Sequence, residues 1–184
     1  MLSTEILYKE HKMIGRFLKV LEGAAKRQKE GRGSLPPDFY KKAVDFSQVY
    51  IEKLHQGKEE TVLVMGLEER GLSRTANPMA EILSEHQKVK EQIAQFSAEV
   101  EKLAGGDPSV LPRLADAFMA FKALYEGHMK KEEGRLYSFA DESYSDVEHE
   151  STIQVFVDYS KKIGEGIHQT YKKVVEDLEK TVAG

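Results

Sequence analysis

The amino-acid sequence predicts an all-α protein: an antiparallel up-down-up-down four-helix bundle with an additional C-terminal helix. Apolar residues recur every three or four positions in four long segments, which is the spacing of one buried helix face. No alternating β-branched run bounded by turn residues is present, which argues against a sheet. The breaks between the segments are short and rich in glycine and proline, as expected of loops that join antiparallel neighbours.

Each of the four segments carries a single apolar stripe. In chain order the stripes cover residues 7–25, 44–63, 79–100 and 118–139. The breaks between them fall at residues 31–37, 71–78 and 105–108. In the first break, Ser34 is a candidate helix cap and Pro37 suits a first helical turn.

The residues after the fourth helix predict one further amphipathic helix. Its apolar face includes Phe156, Ile163 and Leu178, and Gly164 and Gly166 interrupt it. A glycine weakens a helix by roughly 1 kcal/mol relative to alanine, so this pair indicates a bend or a close contact. We expect residues 1–142 to form the bundle and residues 143–184 to form a C-terminal helix that packs on the same domain.

Composition excludes several classes of function. The net charge of −4 gives no basic footprint for nucleic acid, so no DNA or RNA partner is expected. The chain has no cysteine, which rules out disulfides, thiolate zinc sites and iron–sulfur clusters. No apolar run is long enough for a signal peptide or a membrane span, so we expect no membrane association and, by default, a cytoplasmic location.

An internal repeat carries the chemistry. Glu10-His11 and His55-Gln-Gly-Lys-Glu-Glu60 in the first half are echoed by Glu85-His86 and His128-Met-Lys-Lys-Glu-Glu133 in the second. The histidines of a half are 44 residues apart in the first half and 42 apart in the second. At ~1.5 Å per residue, both histidines of each half lie ~28 Å from their hairpin turn. All four imidazoles are therefore predicted to lie at one level of the bundle.

Acidic residues accompany these histidines. Any single core histidine is ordinarily satisfied by a hydrogen bond, but metal ligation would satisfy four at one depth together. Glu59 and Glu132 each follow a histidine by four positions, one turn along the helix and ~40° round, so both can aim into the bundle. The other glutamates of the motifs are expected to orient ligands from outside or to lie at the surface. They are Glu10, Glu60, Glu85 and Glu133.

This combination of side chains predicts a dinuclear metal site. Imidazole with carboxylate suits iron, and also manganese, zinc or nickel. Carboxylates from facing helices can bridge two ions. Two histidines per ion and two shared glutamates leave coordination positions open to water, hydroxide, dioxygen, peroxide or nitric oxide. The predicted metal ligands are His11, His55, Glu59, His86, His128 and Glu132.

The repeat resembles the hemerythrin-like, or HHE cation-binding, family. The likeness rests on the four motif segments, on Gly71 and Pro78 between the halves, and on the stretch from Leu136 to Asp141, and it covers roughly residues 5–142. The tail around Gly164 to His168 is similar to C-terminal helices of some members. The resemblance implies two iron ions with an oxo- or hydroxo-bridge inside a four-helix bundle, with manganese and zinc ranking behind iron. It assigns the four histidines as ligands and Glu59 and Glu132 as bridging carboxylates.

The chain departs from the family's respiratory oxygen carriers at two positions. Those proteins have a further histidine where this sequence has Lys90, which argues against simple reversible oxygen carriage. They also take the last carboxylate from the position of Glu133, which makes Glu133 the alternative to Glu132. Water or a tyrosine could replace the missing ligand, and Tyr8 and Tyr125 are the candidates, although both also suit an ordinary core role.

Four functions remain open at this point. The first is a di-iron protein that binds dioxygen, nitric oxide or peroxide for sensing, transfer or iron handling. The second is a di-iron enzyme that breaks down peroxide or nitric oxide or oxidises iron. A ferritin-like site built on Glu52–His55 and Glu165–His168 ranks third, and a metal-free helical interaction domain fourth. His149 is expected to be solvated, and His168 to lie outside the metal layer.

Overall fold

A computed structural model describes residues 1–184, and it contains six helices and no strand. Helix α1 is Thr4–Lys29, α3 is Met79–Ala104, α5 is Asp146–Ile163 and α6 is Ile167–Ala183. Helix α2 runs continuously through Pro37–Asp45, Phe46–Gln56, Glu59–Leu63 and Val64–Glu68. Helix α4 runs through Leu111–Lys131, Glu132–Tyr137 and Ser138–Ser143, after a short 3-10 turn at Pro108–Val110. The all-α prediction is confirmed.

Parts of α2 and α4 are wider than an ordinary α-helix. Phe46–Gln56, Glu59–Leu63 and Glu132–Tyr137 are π-helical, so their backbone bonds join residues five apart instead of four. These segments carry Glu59 and Glu132, together with the glutamate that follows each of them. Such widened turns change which side chains share a face, and they occur frequently at functional sites.

The prediction of a single C-terminal helix is wrong. Helix α5 begins with a capping box, in which Ser145 and Glu148 satisfy each other's backbone N–H groups. It ends before Gly164, and α6 begins after Gly166, whose φ of +66° lies in the left-handed region. A right-handed helix cannot pass through that conformation, which glycine adopts at little cost. The predicted bend is therefore a complete break between two helices.

The packing leaves a polar layer between two apolar cores. Helix α1 packs against α2 and α4, and α3 packs against the same two helices. The larger core takes side chains from α1, α2, α3, α4 and α6. The smaller core takes side chains from the opposite ends of the first four helices and Phe156 from α5. His11 lies between Leu7 of the smaller core and Ile14 of the larger one, and the other repeat histidines lie at equivalent places.

The C-terminal helices pack on the side of α1 and α2. Ile167, Tyr171, Val175 and Leu178 of α6 are part of the larger core, so this helix is integral to the packing. Helix α5 contacts the π-helical part of α2. None of the six helices combines the length and the apolar character that crossing a membrane requires.

Candidate metal centre

The structure brings the four repeat histidines together in the layer between the cores. His11 is 4% exposed, and the other three are at most 1% exposed. The Nε2 atoms of His11 and His55 are 3.0 Å apart. The ring centroids of His86 and His128 are 4.8 Å apart. One imidazole from each of four helices thus faces a common interior, as the hairpin arithmetic predicts.

Two buried carboxylates lie among these rings. Glu132 places Oε1 at 3.0 Å from Nε2 of His128 and 3.1 Å from Nε2 of His86. Its other oxygen, Oε2, is 3.2 Å from Nε2 of His11. Glu132 therefore contacts imidazoles from both halves of the chain, as a bridging carboxylate must.

Glu59 occupies the matching position in the first half. Its Oε2 atom is 3.5 Å from Nε2 of His55 and 3.5 Å from Nε2 of His86. Both Glu59 and Glu132 are fully buried. Glu133, the alternative to Glu132, points away from this interior and contacts Nδ1 of His11 at 2.8 Å. The geometry thus favours Glu132 over Glu133 as the inner carboxylate.

A second set of glutamates holds the outer nitrogen of every ring. Glu10 and Glu85 accept from Nδ1 of the second histidine of their own half, at 3.0 Å from His55 and 3.1 Å from His128. Glu60 accepts from Nδ1 of His86 at 3.0 Å, across the halves. An ionised carboxylate can only accept, so each Nδ1 carries a proton and each Nε2 faces the interior of the layer. This is the usual arrangement around a metal-ligating histidine.

The lysine of each motif stands behind this outer set. Lys58 is fully buried and donates to Glu10, and Lys131 donates to Glu85 in the same way. The Lys58 charge and the His55 hydrogen bond outweigh burial and lower the pKa of Glu10 to about 2. The His86 hydrogen bond, opposed by burial, lowers the pKa of Glu60 to about 2 as well. Each residue type in the His-x-x-Lys-Glu-Glu pattern therefore has its own place. The histidine and the first glutamate face the interior, the second glutamate holds the outer nitrogen of a ring, and the lysine donates to another outer glutamate.

Tyr137 enters the layer, and sequence reasoning missed it. Its hydroxyl lies 3.1 Å from Nε2 of His11 and donates to Glu59, and burial raises its pKa well above the usual range. In an α-helix, five residues at ~100° each would turn Tyr137 about 140° away from Glu132. The π-helical turn Glu132–Tyr137 brings the two side chains to one face instead.

The two candidate tyrosines lie beside the layer. The Tyr8 hydroxyl donates to the backbone oxygen of Glu133 at 3.4 Å. The Tyr125 ring packs against that of His128 with centroids 5.3 Å apart, and its buried hydroxyl makes no hydrogen bond of good geometry. Of the three tyrosines, Tyr137 is the one whose hydroxyl bonds to an inner carboxylate.

The electrostatics of the layer favour a bound cation. Burial opposes a charge on His11 and His86, but Glu132 and the outer glutamates outweigh it and raise their pKa values to about 9 and about 10. Burial and the nearby Glu132 raise the pKa of Glu59. Against burial, His128 and the other imidazoles hold the pKa of Glu132 well below its usual range. Without a metal, protons must supply the positive charge that two buried carboxylates need.

Orphaned buried atoms show where a metal fits. Oε2 of Glu59, Oε2 of Glu132 and Nε2 of His128 are buried and make no hydrogen bond of good geometry, although each lies within 3.5 Å of another polar atom of the layer. The donor atoms form two groups, in each of which they lie within 4.8 Å of one another: His11, His55, Glu59 and Glu132, and then His86, His128 and Glu132. The groups share Glu132, and buried imidazole and carboxylate atoms that converge in this way are the donor set of a metal site.

The remaining histidines stay outside these groups. His149 is 2% exposed, so the expectation that it is solvated is wrong; the backbone N–H of Ser3 donates to its Nδ1 at 3.1 Å. His168 lies on α6 with Nε2 at 3.6 Å from Glu10, on the outer side of the layer. Neither Glu52 nor Glu165 belongs to a donor group, so the structure gives no support to the ferritin-like arrangement.

Comparison with known proteins identifies the family. The family model described as the hemerythrin HHE cation binding domain matches the chain twice, over residues 2–140 and 77–182. No curated protein and no solved structure matches the chain. The first match covers all four repeat histidines and both inner carboxylates. The chain therefore belongs to the hemerythrin HHE cation-binding family, and its buried histidine–glutamate cluster is that of a metal-binding, hemerythrin-like protein.

Proposed function

We propose that this protein holds two iron ions in the layer and uses them to bind a small ligand, dioxygen, nitric oxide or peroxide, for sensing, transfer or iron handling. One observation carries the proposal: all four Nε2 atoms face one buried interior that contains two carboxylates, while a glutamate fixes every Nδ1. A core that needed histidines only for packing or hydrogen bonding would have no reason to orient all four rings alike.

The donor chemistry supports iron. Imidazole and carboxylate without thiolate suit non-haem iron, and manganese or zinc rank behind it. In this assignment His11 and His55 would hold one ion, and His86 and His128 would hold the other. Glu59 and Glu132, which each approach imidazoles of both halves, would be shared between the ions. When bound, the ions would supply a change of oxidation state and coordination positions for an exogenous ligand.

The protein's own residues prepare this interior. The two apolar cores above and below the layer exclude bulk water, which strengthens electrostatic interactions within it. The outer glutamates fix the orientation of the rings. Tyr137 holds a proton on its hydroxyl, directed at Glu59, and its raised pKa keeps that proton in place at neutral pH. Tyr137 is also our candidate for the ligand that stands in for the missing histidine of the oxygen carriers.

We also propose how the chain is divided between the metal-binding bundle and its C-terminal helices. Residues 1–142 would form the metal-binding, up-down-up-down bundle, since α1 and α3 each pack between α2 and α4. Residues 143–184 would form a helical addition on the same domain, since α6 shares the larger core. The second family match, over residues 77–182, extends through this addition.

A di-iron enzyme that breaks down peroxide or nitric oxide, or that oxidises iron, is the second candidate. Tyr137 favours it, because a buried phenol beside the inner carboxylate can donate a hydrogen bond to a group on which negative charge develops within the site. Exposing anaerobic ferrous protein to each gas and to peroxide separates the two functions. A stable, reversible change in the optical spectrum supports binding, whereas consumption of many equivalents per chain supports catalysis.

Metal content measured on purified protein tests the assignment itself. We expect about two iron ions per chain in carefully loaded protein, and marked loss in the variants His55→Ala and His128→Ala, with a lower melting temperature. His149→Ala is the matched control, because that histidine is equally buried but lies outside both donor groups. Unchanged metal content in both ligand variants would contradict the assignment.

A further inference from the structure

A cleft of about 860 Å³ opens beside the metal layer, between α1, α2, α5 and α6. Its volume is within the range of small-molecule binding sites. Apolar side chains line much of it, among them Met13, Phe156 and Ile167, each from a different helix. None of the six candidate metal ligands lines this cleft, so it is a separate site.

Basic side chains dominate the exposed lining of the cleft. Lys9, Lys161 and Lys172 come from α1, α5 and α6, and all three are exposed. None of the three forms an ion pair with a carboxylate, so their charges are free to attract an anion. Glu165 is the single exposed carboxylate in the lining. The cleft therefore presents positive charge at its edge and apolar surface within.

The floor of the cleft sets the orientation of an occupant. Glu10 lines the floor but is only 1% exposed, and its carboxylate is already engaged by Lys58 and His55. His168, with its side chain 44% exposed, lies between Glu10 and solvent. Because Lys58 is paired with Glu10, the floor offers no free cation to a negative group, so an anionic head is held by the lysines at the edge.

We propose that this cleft binds a small amphipathic anion, a monocarboxylate with an aliphatic body. The carboxylate head lies at Lys161 and Lys172, and the aliphatic body packs against Phe156 and Ile167. Burial of the body supplies affinity, and the lysines supply the preference for an anion over a neutral molecule of the same shape.

Glu10 joins this cleft to the metal layer. The same carboxylate that lines the floor accepts from Nδ1 of His55 at 3.0 Å. An occupant that covers His168, the half-exposed side chain between Glu10 and solvent, lowers the dielectric around that carboxylate and so changes how strongly it holds the ring. Partners of a ligating histidine tune the metal it binds. This link, unlike the anion site itself, rests on the proposed function. By thermodynamic reciprocity, metal loading must change the affinity for the anion by the same factor.

Calorimetric titration of the metal-loaded, full-length protein with octanoate tests the site. We expect saturable binding of one octanoate per chain, weaker binding of the neutral octanol, and no binding of acetate, which lacks the aliphatic body. The double variant Lys161→Glu/Lys172→Glu should weaken octanoate binding by about tenfold or more, since two exposed attractions become repulsions. The control Lys162→Glu/Lys173→Glu changes the same net charge at adjacent positions that do not line the cleft, and should bind as the wild type does.

Three results would overturn the anion site: octanol binding as tightly as octanoate, equal losses in the two double variants, or no saturable octanoate binding. Repeating the titration on protein stripped of metal by a chelator tests the link through Glu10. A change in octanoate affinity of about threefold or more supports the link, and equal affinity refutes it. Because metal content is measured separately, failure of the proposed di-iron function is distinguishable from failure of the cleft.

Discussion

Glu133 accepts a hydrogen bond from Nδ1 of His11 at 2.8 Å, although the two residues are 122 positions apart. The reciprocal contact joins Glu60 to His86 at 3.0 Å. The first histidine of each half is thus held by the last glutamate of the other half. The repeat is therefore not two independent sites side by side, because each half supplies the support that the other half needs.

Because each half holds a histidine of the other half, removing one outer glutamate should weaken metal binding at that distant histidine. In the variant Glu133→Ala, the His11 ring loses the partner that orients it, and we expect metal affinity to fall about 10- to 100-fold. Competition with a chelator of known affinity measures the change. Glu142→Ala, an exposed glutamate close by in the chain, is the control. Equal affinity of the two variants would show that the contact has no role in metal binding.

Tyr137→Phe should destabilise the metal-free protein by about 1–3 kcal/mol. The hydroxyl donates to the buried Glu59, and a hydrogen bond to a charged group contributes more than a neutral one. Tyr125→Phe, which removes a buried hydroxyl that makes no hydrogen bond of good geometry, should cost less than Tyr137→Phe. Urea unfolding of chelator-treated protein measures both. If Tyr137 is a metal ligand, Tyr137→Phe alters the optical spectrum of the metal-loaded protein and Tyr125→Phe does not. A Tyr137→Phe spectrum identical to that of the wild type would show that Tyr137 is not a ligand.

Metal loading should release protons. In the metal-free fold the pKa values of His11 and His86 are about 9 and about 10, because Glu132 outweighs burial, so both rings are charged at pH 7. A metal ion takes the Nε2 positions, which displaces about two protons per chain at pH 7. Apparent metal affinity therefore rises as the pH increases toward about 9. Calorimetry in buffers of different ionisation enthalpy counts the protons, and a release of none would contradict this electrostatic account.

The break between α5 and α6 predicts opposite effects for two glycine substitutions. Gly166→Ala should cost about 1–2 kcal/mol, because a side chain disfavours the left-handed conformation at φ +66°. Gly15→Ala should instead stabilise by about 0.5–1 kcal/mol, since Gly15 lies inside α1 and a new Cβ there would meet no atom within 4 Å. Thermal unfolding of both variants checks the signs. A neutral Gly166→Ala would contradict the view that the break requires a left-handed glycine at this position.

Much of the site follows from the sequence. The positions of His11, His55, His86 and His128 along four apolar stripes place the rings at one depth, since helical rise is nearly constant and the hairpins are matched in length. The repeated glutamates after the second histidine of each half likewise mark the inner carboxylates. These features are local in origin, so periodicity and spacing are sufficient to find them.

Only the tertiary structure decided which partner each side chain takes. Glu133 and Glu60 reach across to the opposite half, a pairing that no spacing within one half encodes. Tyr137 joins the layer because π-helical turns change the angular step that the sequence reading assumed to be α-helical. The cleft beside Glu10 exists because α5 and α6 part at Gly166 and pack on the first two helices. Spacing along one helix fixes height and face, whereas contacts between helices depend on how the whole chain packs.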